Sequence, residues 1–448
     1  MLANLTKTPQ RTLVGIMIVG VLLRIVTSLI FFGNEVQSLP GIFDEVSYHN
    51  LAIRVLDGHG FSFGEAWWPG TPANEPTAHW SYLYTSFLVG IYGIVGPNPL
   101  VARIIQAFIT GILMPLVTYR LANRVFAKPF GSEKAQTIAL IAAGITAVYI
   151  YLFYYAAALI TESVYILGIV WTFDIVVKIS QQEEDTSMRD WLLLGVALAL
   201  TVLLRQLFLL FAPFMLVWLW WAKRPQIWKL AVPLMVTAVF MAPWTYRNYQ
   251  AFDTFVPLNT NSGHAFFWGN HPSFGTQFVP ILPTRQYYAM IPEELKAQGL
   301  NEAEMDSALL ELGVGFVVED PGRYVLLSLS RFPSYFKFWP SSESGFVSNV
   351  SRVASFGLFL PFMIWGLVIA MQQSLPSWKE WLASPFTLFY LFVLVYTGMH
   401  VLTWTLIRYR IPIDAIFILF AGVAFERLLT LFGVWEKRPF SPAPQSNM

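Results

Sequence analysis

Residues 13–32, LVGIMIVGVLLRIVTSLIFF, form a stretch in which Arg24 is the only charged side chain. A helix needs about 20 predominantly apolar residues to cross the hydrocarbon core of a bilayer. The stretch therefore predicts a transmembrane helix. It lacks the charged leader and small-residue cleavage site of a removed signal peptide, so we expect a retained anchor.

The composition of the whole chain extends this prediction to many spans. Of its 448 residues, 56% are hydrophobic and 12% are charged, and the mean hydropathy is +0.54. These values lie outside the range of a soluble domain and predict an all-α polytopic membrane protein. The absence of cysteine excludes disulfides and thiolate chemistry. A net charge of +1 gives no reason to expect a nucleic-acid partner.

The distribution of apolar segments predicts about ten transmembrane helices. They are 13–32, 99–121, 135–157, 160–179, 191–204, 208–221, 227–244, 353–371, 386–406 and 411–431. The segment 80–95 is ambiguous, because its length and polar start also fit a helix lying in the membrane interface. If 80–95 does not span, the basic clusters all fall on one side, as the positive-inside rule expects. We therefore expect both termini in the cytoplasm.

This topology places two large segments, 33–79 and 245–352, on the outer face of the plasma membrane. Amphipathic stretches in both fit interfacial helices. The expected organisation is a catalytic transmembrane module that includes the first outer loop, a second outer segment, the last spans and a cytoplasmic tail. The corresponding ranges are 1–244, 245–352, 353–432 and 433–448.

Ionisable and strongly polar side chains gather at the outer ends of the predicted spans. They are Asp44, Glu45, His49, Glu75, His79, Arg103, Glu162, Arg205, Arg247, Asn248, His264, Asn270, His271, Arg408 and Arg410. Each alone has an ordinary explanation, such as a snorkelling arginine or a helix cap. Together they need another reason, because membrane anchoring does not require acids and arginines to gather opposite the basic loops.

Acids beside arginines at a membrane surface suit a phosphate-bearing lipid substrate. Arginine matches phosphate geometry bidentately and stays charged at low dielectric. Five arginines could hold a leaving phosphate: Arg103, Arg205, Arg247, Arg408 and Arg410. A carboxylate could then take a proton from an incoming hydroxyl, and the adjacent Asp44 and Glu45 are the first candidates.

Several stretches together resemble the integral-membrane glycosyltransferases of the C superfold. The resemblance is nearest to the family 39-like group of protein O-mannosyltransferases and aminoarabinose transferases. It is carried, over roughly the whole chain and in order, by FDEVSYHNLAIRVLDGHGFS (43–62), PLVARIIQAF (99–108), LITESVY (159–165), APWTYRNYQAFDTFVPLNTNSGHAFFWGNHP (242–272) and RYRIPID (408–414). The resemblance implies sugar donors on polyprenyl phosphate, used on the outer face.

The resemblance also implies roles for particular residues. One member of the pair Asp44 and Glu45 is the catalytic base, and Arg103 and Glu162 match an arginine and a Thr-Glu acid of the family. We therefore expect catalytic roles for Asp44, Glu45 and Glu162. The gathering of polar groups at the span ends, rather than the resemblance, predicts substrate-binding roles for Arg103, Arg205, Arg247, Asn248, His264, Asn270, Arg408 and Arg410. The Arg-Pro-Pro element of many members is missing at 80–84, which leaves the acceptor and donor class open.

A divalent metal is the cofactor that this chemistry could use. Glu75 and His79 could offer a pair of metal-binding or hydrogen-bonding groups, as some relatives have, although three residues of irregular loop separate them.

The predicted function is inverting glycosyl transfer. Asp44 accepts the proton of an acceptor hydroxyl on a lipid, glycan or protein, and arginines stabilise the leaving polyprenyl phosphate. Glu45 orients the acceptor or assists through a bound ion. The alternatives are a transporter or flippase of a lipid-linked sugar and a non-catalytic scaffold. An enzyme needs polar groups on one face only, whereas a permeation path needs them through the bilayer.

Overall fold

A computed structural model of the chain describes residues 8–37, 43–183, 186–342, 344–373 and 377–432. The tail 433–448, the basic residues 7 and 437–438 and part of the first outer loop therefore lie outside the described residues. Within the described ranges the protein is helical, and its β structure consists of two isolated bridges, Ser62 to Pro76 and Trp67 to Thr71.

Twenty α-helices follow one another along the described part of the chain. They are α1 (Pro9–Thr27), α2 (Asp44–Leu56), α3 (Tyr82–Val95), α4 (Pro99–Phe130), α5 (Ser132–Val148), α6 (Ile150–Ala157), α7 (Glu162–Gln181), α8 (Met188–Leu204), α9 (Ala212–Lys223), α10 (Ile227–Phe252), α11 (Ser262–Asn270), α12 (Thr284–Met290), α13 (Glu293–Lys296), α14 (Glu302–Glu319), α15 (Pro321–Tyr335), α16 (Phe346–Arg352), α17 (Leu358–Gln372), α18 (Trp378–Ala383), α19 (Pro385–Leu402) and α20 (Ile411–Leu431). Short π-helical turns continue α1 over Ser28–Phe32 and join α16 to α17 over Val353–Gly357. Short 3₁₀ turns cover Gln206–Leu210, Pro272–Phe274 and Ile407–Arg410.

Six of the described helices are long and apolar enough to cross a membrane, or seven if the bent pair α5 and α6 is one span. They are Pro9–Phe32, Pro99–Phe130, Glu162–Gln181, Ile227–Phe252, Phe346–Gln372 and Pro385–Leu402. The other expected spans form α8, α9 and α20, of which α8 and α9 are shorter, with 17 and 12 residues. The count of ten stays a prediction, whereas the polytopic all-α class is confirmed.

The first two membrane-length helices cross at close range. A Cβ atom added at Gly111 of α4 would lie 2.8 Å from the backbone nitrogen of Val21 in α1. One added at Gly20 would lie 2.9 Å from the carbonyl oxygen of Gly111. Two glycines therefore let the backbones approach, as small residues do in membrane helix pairs. This crossing holds α4, which carries Arg103, against α1.

A 48° break at Tyr149 separates α5 from α6. Backbone groups near the break find side-chain partners: Tyr151 N–H donates to Ser355 Oγ at 3.3 Å, and Arg24 donates to the Ala147 carbonyl at 3.4 Å. After the break, α6 ends at Ala157 and the chain turns into α7, which begins at Glu162. The break thus places the turn 158–161 immediately before the start of α7.

The ambiguous segment 80–95 forms α3, which has 14 residues. A helix of that length is about 21 Å long, whereas the hydrocarbon core is about 30 Å thick. Its buried residues include Leu88, Ile91 and Tyr92. The length is consistent with the expected interfacial placement, which stays a prediction.

Helices α11 to α16 lie in the segment 245–352, which the sequence predicts to be on the outer face, and α15 is strongly amphipathic. Leu327, Arg331 and Tyr335 are buried on one side of α15. Its other side exposes four apolar side chains: Val325, Leu326, Leu329 and Phe332. Tyr324 donates to the carbonyl of Leu402 at the end of α19. This arrangement agrees with the interfacial helix expected here.

Candidate active site

The first helix after the opening span begins at Asp44, and its carboxylate pairs with an arginine from the far end of the chain. Arg408 Nη2 donates to both Asp44 oxygens, at 3.1 and 3.3 Å. Arg408 lies in the turn Ile407–Arg410 that leads into α20. The Asp44 side chain is 16% exposed, so it retains access from outside. Residues 364 positions apart thus meet where the sequence placed the outer ends of the spans.

A second carboxylate, Glu162, joins the same arginine from the first turn of α7. Arg205 Nη2 donates to Glu162 Oε1 at 2.5 Å, and Arg408 Nε lies 3.4 Å from that oxygen. Arg205 also donates to Thr161 Oγ1 at 2.8 Å. Glu162 Oε2 is buried without a hydrogen-bond partner among the described residues. We call Asp44, Glu162, Arg205 and Arg408 the outer charge cluster.

An aromatic ring supports the two arginines of the outer charge cluster. The guanidinium carbons of Arg205 and Arg408 lie 5.6 and 5.4 Å from the centroid of the Tyr409 ring. The His400 ring stacks against Tyr409 at 4.8 Å. Cations over an aromatic face are attracted by its quadrupole, so Tyr409 offsets part of the repulsion between two close guanidinium groups.

The charge state of Asp44 follows from two opposed effects. Burial alone would raise the pKa of Asp44, but the charges of Arg408 and Arg205 and the Arg408 hydrogen bond hold that pKa below its ordinary value. Asp44 is therefore a carboxylate at neutral pH. It is ready to accept a proton, although its arginine partner weakens it as a base.

Glu45 lies next to Asp44 but is part of a separate network. Its carboxylate accepts from Arg103 Nη1 at 2.5 Å, from Leu159 N at 2.7 Å and from Gln37 N at 2.8 Å. Arg103 and Glu45 are both buried, with 0% and 7% of their side chains exposed. Arg103 also donates to the Ala157 carbonyl at 2.7 Å. This pair fastens α2 and α4 to the turn 158–161, immediately before Glu162.

The sequence interpretation missed Gln106, which completes this fastening. Its amide nitrogen donates to the carbonyls of Ala156 and Ala158, at 2.9 and 2.8 Å. Its amide oxygen accepts from Tyr84 Oη at 2.8 Å. Gln106 follows Arg103 by three residues, so both project from one face of α4. A polar pair at that spacing in an apolar helix was the available signal.

Arg247 and Asn248 lie elsewhere and bind loop backbone. Arg247 donates to the carbonyls of Thr77 and Phe61, at 2.9 and 3.0 Å. Asn248 donates to the carbonyl of Leu258 at 2.9 Å. No described contact joins either residue to the outer charge cluster. Both hold the first outer loop and the start of the second against α10.

His264, Asn270 and Arg410 also have protein partners. His264 Nδ1 lies 2.9 Å from Asp306 Oδ1, and this contact, against the effect of burial, holds the pKa of Asp306 below its ordinary value. The side-chain oxygen of Asn270 accepts from Arg331 at 2.8 Å. Arg410 pairs with Asp414 at 2.9 Å inside the protein.

Glu302 is a second buried acid that the sequence interpretation missed. It accepts from Thr71 Oγ1 at 2.6 Å, from Ala78 N at 2.7 Å and from Thr260 Oγ1. It therefore ties the first outer loop to the second outer segment. Nothing in the sequence distinguishes Glu302 from the exposed acids of the same helix, since its burial depends on loop packing.

The possible metal pair does not assemble. Glu75 is exposed, whereas His79 Nδ1 lies 3.2 Å from the Thr260 carbonyl and its ring lies 6.0 Å from that of His264. Across the described residues, no three His, Cys, Asp or Glu side chains form a group able to hold a metal ion. The two cluster acids, Asp44 and Glu162, are already engaged by guanidinium groups. The described residues therefore present no ready metal site, and a divalent metal as cofactor stays a prediction.

Comparison with known proteins is informative at the level of structure. No protein-family model matches the sequence, and no curated protein matches it. The oligosaccharyltransferase of Archaeoglobus fulgidus, tethered with an acceptor peptide containing the NVT sequon, matches with a TM-score of 0.58 and 15% identity. The match covers 95% of this chain and 50% of that one.

Two further solved structures are similar. Archaeal oligosaccharyltransferase AglB from Archaeoglobus fulgidus, in complex with an inhibitory peptide and a dolichol-phosphate, matches with a TM-score of 0.56 and 14% identity over 95% of this chain and 51% of that one. ArnT from Cupriavidus metallidurans bound to undecaprenyl phosphate has a TM-score of 0.39 and 13% identity over 93% and 77%. That score is too low to support a conclusion.

The chain spans about half the length of the oligosaccharyltransferase chains that it matches. At such low identity the likeness establishes the fold. The described helices therefore share the fold of the oligosaccharyltransferase of Archaeoglobus fulgidus, in agreement with the resemblance found in the sequence.

Proposed function

We propose that this protein is a membrane glycosyltransferase. It moves a sugar from a polyprenyl-phosphate donor to a hydroxyl group of an acceptor, with inversion at the sugar's anomeric carbon. The active face is the outer side of the plasma membrane, and both termini are cytoplasmic. The fold, which is shared with an enzyme whose structure contains a dolichol-phosphate, supports a lipid-linked donor.

The outer charge cluster is the observation that carries this proposal. It combines an accessible carboxylate, Asp44, with two guanidinium groups, Arg205 and Arg408, beside a buried acid. Arginine provides a planar, permanently charged fork for phosphate oxygens. A carboxylate within reach of the same guanidinium can accept a proton from the attacking group. The cluster thus supplies both functions that glycosyl transfer from a phosphate needs.

The proposed reaction is a single displacement. The acceptor oxygen forms a bond to the anomeric carbon while its proton passes to Asp44. The bond between the anomeric carbon and the phosphate oxygen breaks, and its electron pair leaves with the polyprenyl phosphate. Arg205 and Arg408 stabilise the negative charge that develops on that phosphate. Attack from the side opposite the phosphate inverts the anomeric configuration.

The other residues predicted for the site have supporting roles in this proposal. Glu45 and Arg103 hold the turn before Glu162, so Glu45 positions the cluster without touching substrate. Arg247 and Asn248 hold the outer loops that border it. His264, Asn270 and Arg410 act through similar protein contacts.

A transfer assay tests the function. Purified protein is incubated with a panel of radiolabelled polyprenyl-phosphate sugars and with lipid, glycan and peptide acceptors. We expect label to move from donor to one acceptor class, and the transfer to be lost in Asp44→Asn. Glu311→Gln, a variant of an exposed acid outside the cluster, is the control and should retain transfer. Movement of intact donor across vesicles without transfer would instead support a flippase.

A further inference from the structure

Arg408 is held more loosely than its neighbour Arg205. Its contacts to Asp44 measure 3.1 and 3.3 Å, and its contact to Glu162 measures 3.4 Å. Charge-assisted N–H···O hydrogen bonds are usually about 2.7–2.9 Å long. The contacts of Arg205 are shorter, at 2.5 Å to Glu162 and 2.8 Å to Thr161. Of the two guanidinium groups, Arg408 is therefore the easier to move.

The charges of the cluster leave no free cation for an incoming anion. Two carboxylates and two guanidinium groups sum to zero, and each guanidinium already contacts a carboxylate. A phosphodiester adds one negative charge. It competes with the carboxylates for the guanidinium groups, and the longer contacts of Arg408 make that arginine the easier one to redirect. Among the residues that the structure describes, Arg408 is also the only side chain that donates a hydrogen bond to Asp44.

We propose that the phosphate of the donor draws Arg408 away from Asp44, so that Asp44 becomes a competent base only in the donor-loaded protein. This inference rests on the proposed function, because it takes a phosphate-linked donor as given. It makes Arg408 a coupling residue between donor binding and proton acceptance. The acceptor hydroxyl is then activated only after the donor is in place.

The electrostatics around Asp44 give the direction of this change. The charged and titratable groups facing it are Arg408, Arg205 and Tyr48, with Glu162 behind Arg408. Burial raises the pKa of Asp44, and the two arginines more than reverse that effect. Moving Arg408 onto a phosphate removes one opposing charge and brings a negative charge nearer. Both changes raise the pKa of Asp44 and strengthen it as a base.

Asp44 takes up one proton and releases it again in each catalytic cycle. The acceptor O–H proton passes to Asp44 as the glycosidic bond forms and the phosphate leaves with the electron pair of the broken bond. When the polyprenyl phosphate departs, Arg408 returns to Asp44. The carboxyl group then ionises again and releases the proton to water.

Proton uptake on binding tests the inference. The probe is a short polyprenyl methyl phosphodiester, which carries one charge, does not titrate near neutrality and lacks a transferable sugar. Calorimetric titration at about pH 5, above the ordinary pKa of an aspartate, is repeated in two buffers of different ionisation enthalpy. Wild type should take up part of a proton per probe bound. Asp44→Asn should bind the probe at least as tightly and take up none. Glu311→Gln should match wild type.

The outcomes separate this inference from the proposed function. Binding with equal proton uptake in wild type and Asp44→Asn would overturn the coupling through Arg408 and leave the donor site standing. No binding to wild type would overturn the lipid-phosphate donor itself. Infrared difference spectra of wild type supply a check that needs no variant. Probe addition should produce a protonated-carboxyl band, and its absence would refute the release of Asp44.

Discussion

The adjacent acids Asp44 and Glu45 have different roles. Successive side chains of a helix point about 100° apart, so the first turn of α2 directs them to different neighbours. Glu45 accepts three hydrogen bonds from buried groups, including Arg103. Asp44 meets Arg408 and keeps 16% of its side chain exposed. The exposed part of its side chain therefore favours Asp44 as the base. The three hydrogen bonds that its carboxylate accepts favour Glu45 as a structural residue.

Amide substitutions should separate these two roles. Asp44→Asn is expected to lower turnover by about two to four orders of magnitude with normal expression and melting temperature. Glu45→Gln should lower stability by roughly 3–5 kcal/mol, because it leaves the buried Arg103 charge uncompensated. Transfer assays and thermal melting in detergent measure both. Wild-type turnover in Asp44→Asn would remove it as the base, and a larger turnover loss in a stable Glu45→Gln would exchange the roles.

Lysine substitutions should distinguish an arginine that binds phosphate from one that holds a loop. Arg408→Lys keeps the charge but loses the planar fork, so binding of a short polyprenyl phosphate should weaken by about 1.5–3 kcal/mol. Arg247→Lys should chiefly lower the melting temperature, because Arg247 bridges the carbonyls of Thr77 and Phe61. Calorimetric binding alongside melting curves tests the pair. Equal affinity in wild type and Arg408→Lys would return Arg408 to an anchoring role.

At the scale of the helices, the contact between α1 and α4 fixes the position of Arg103, which lies on α4. Gly111→Ala should lower stability by about 1–3 kcal/mol, as overpacking does, because the new methyl group meets the Val21 backbone at 2.8 Å. Gly144→Ala in α5 is the matched control, since its nearest neighbour would be Ile16 Cδ1 at 3.9 Å. Both changes gain the same helix propensity. Equal melting temperatures for the two variants would mean that α1 and α4 do not cross this tightly.

The helices and loops also explain which parts of the candidate site could be predicted from the sequence. Asp44, Glu162, Arg205 and Arg408 were expected to be neighbours because each lies at the outer end of a predicted span, and helix ends on one face are close. Asp306 pairs with His264 where α14 contacts α11, and no sequence pattern marks that contact. Glu302 could not be predicted either, because its partners come from irregular loops whose packing has no periodic pattern. For the same reason, Arg247 resembled a phosphate ligand in the sequence although its partners are loop carbonyls.

At the scale of the molecule, the orientation in the membrane can be tested with single cysteines, since the chain has none of its own. A cysteine at Gly131 or Ser377 should react with an impermeant thiol reagent only after the membrane is opened, because both lie on the proposed cytoplasmic side. One at Ser273 should react in intact cells. Labelling at position 131 from outside would mean that α3 crosses the membrane.

The two guanidinium groups of the outer charge cluster have a consequence for the end of each turnover. The donor phosphodiester carries one negative charge, whereas the spent polyprenyl phosphate carries up to two near neutral pH. Two guanidinium groups supported by Tyr409 attract the second form more strongly. The used carrier should therefore leave slowly, and its departure should limit the steady-state rate. In such an enzyme, accumulation of spent lipid in the outer leaflet would itself restrain glycosylation.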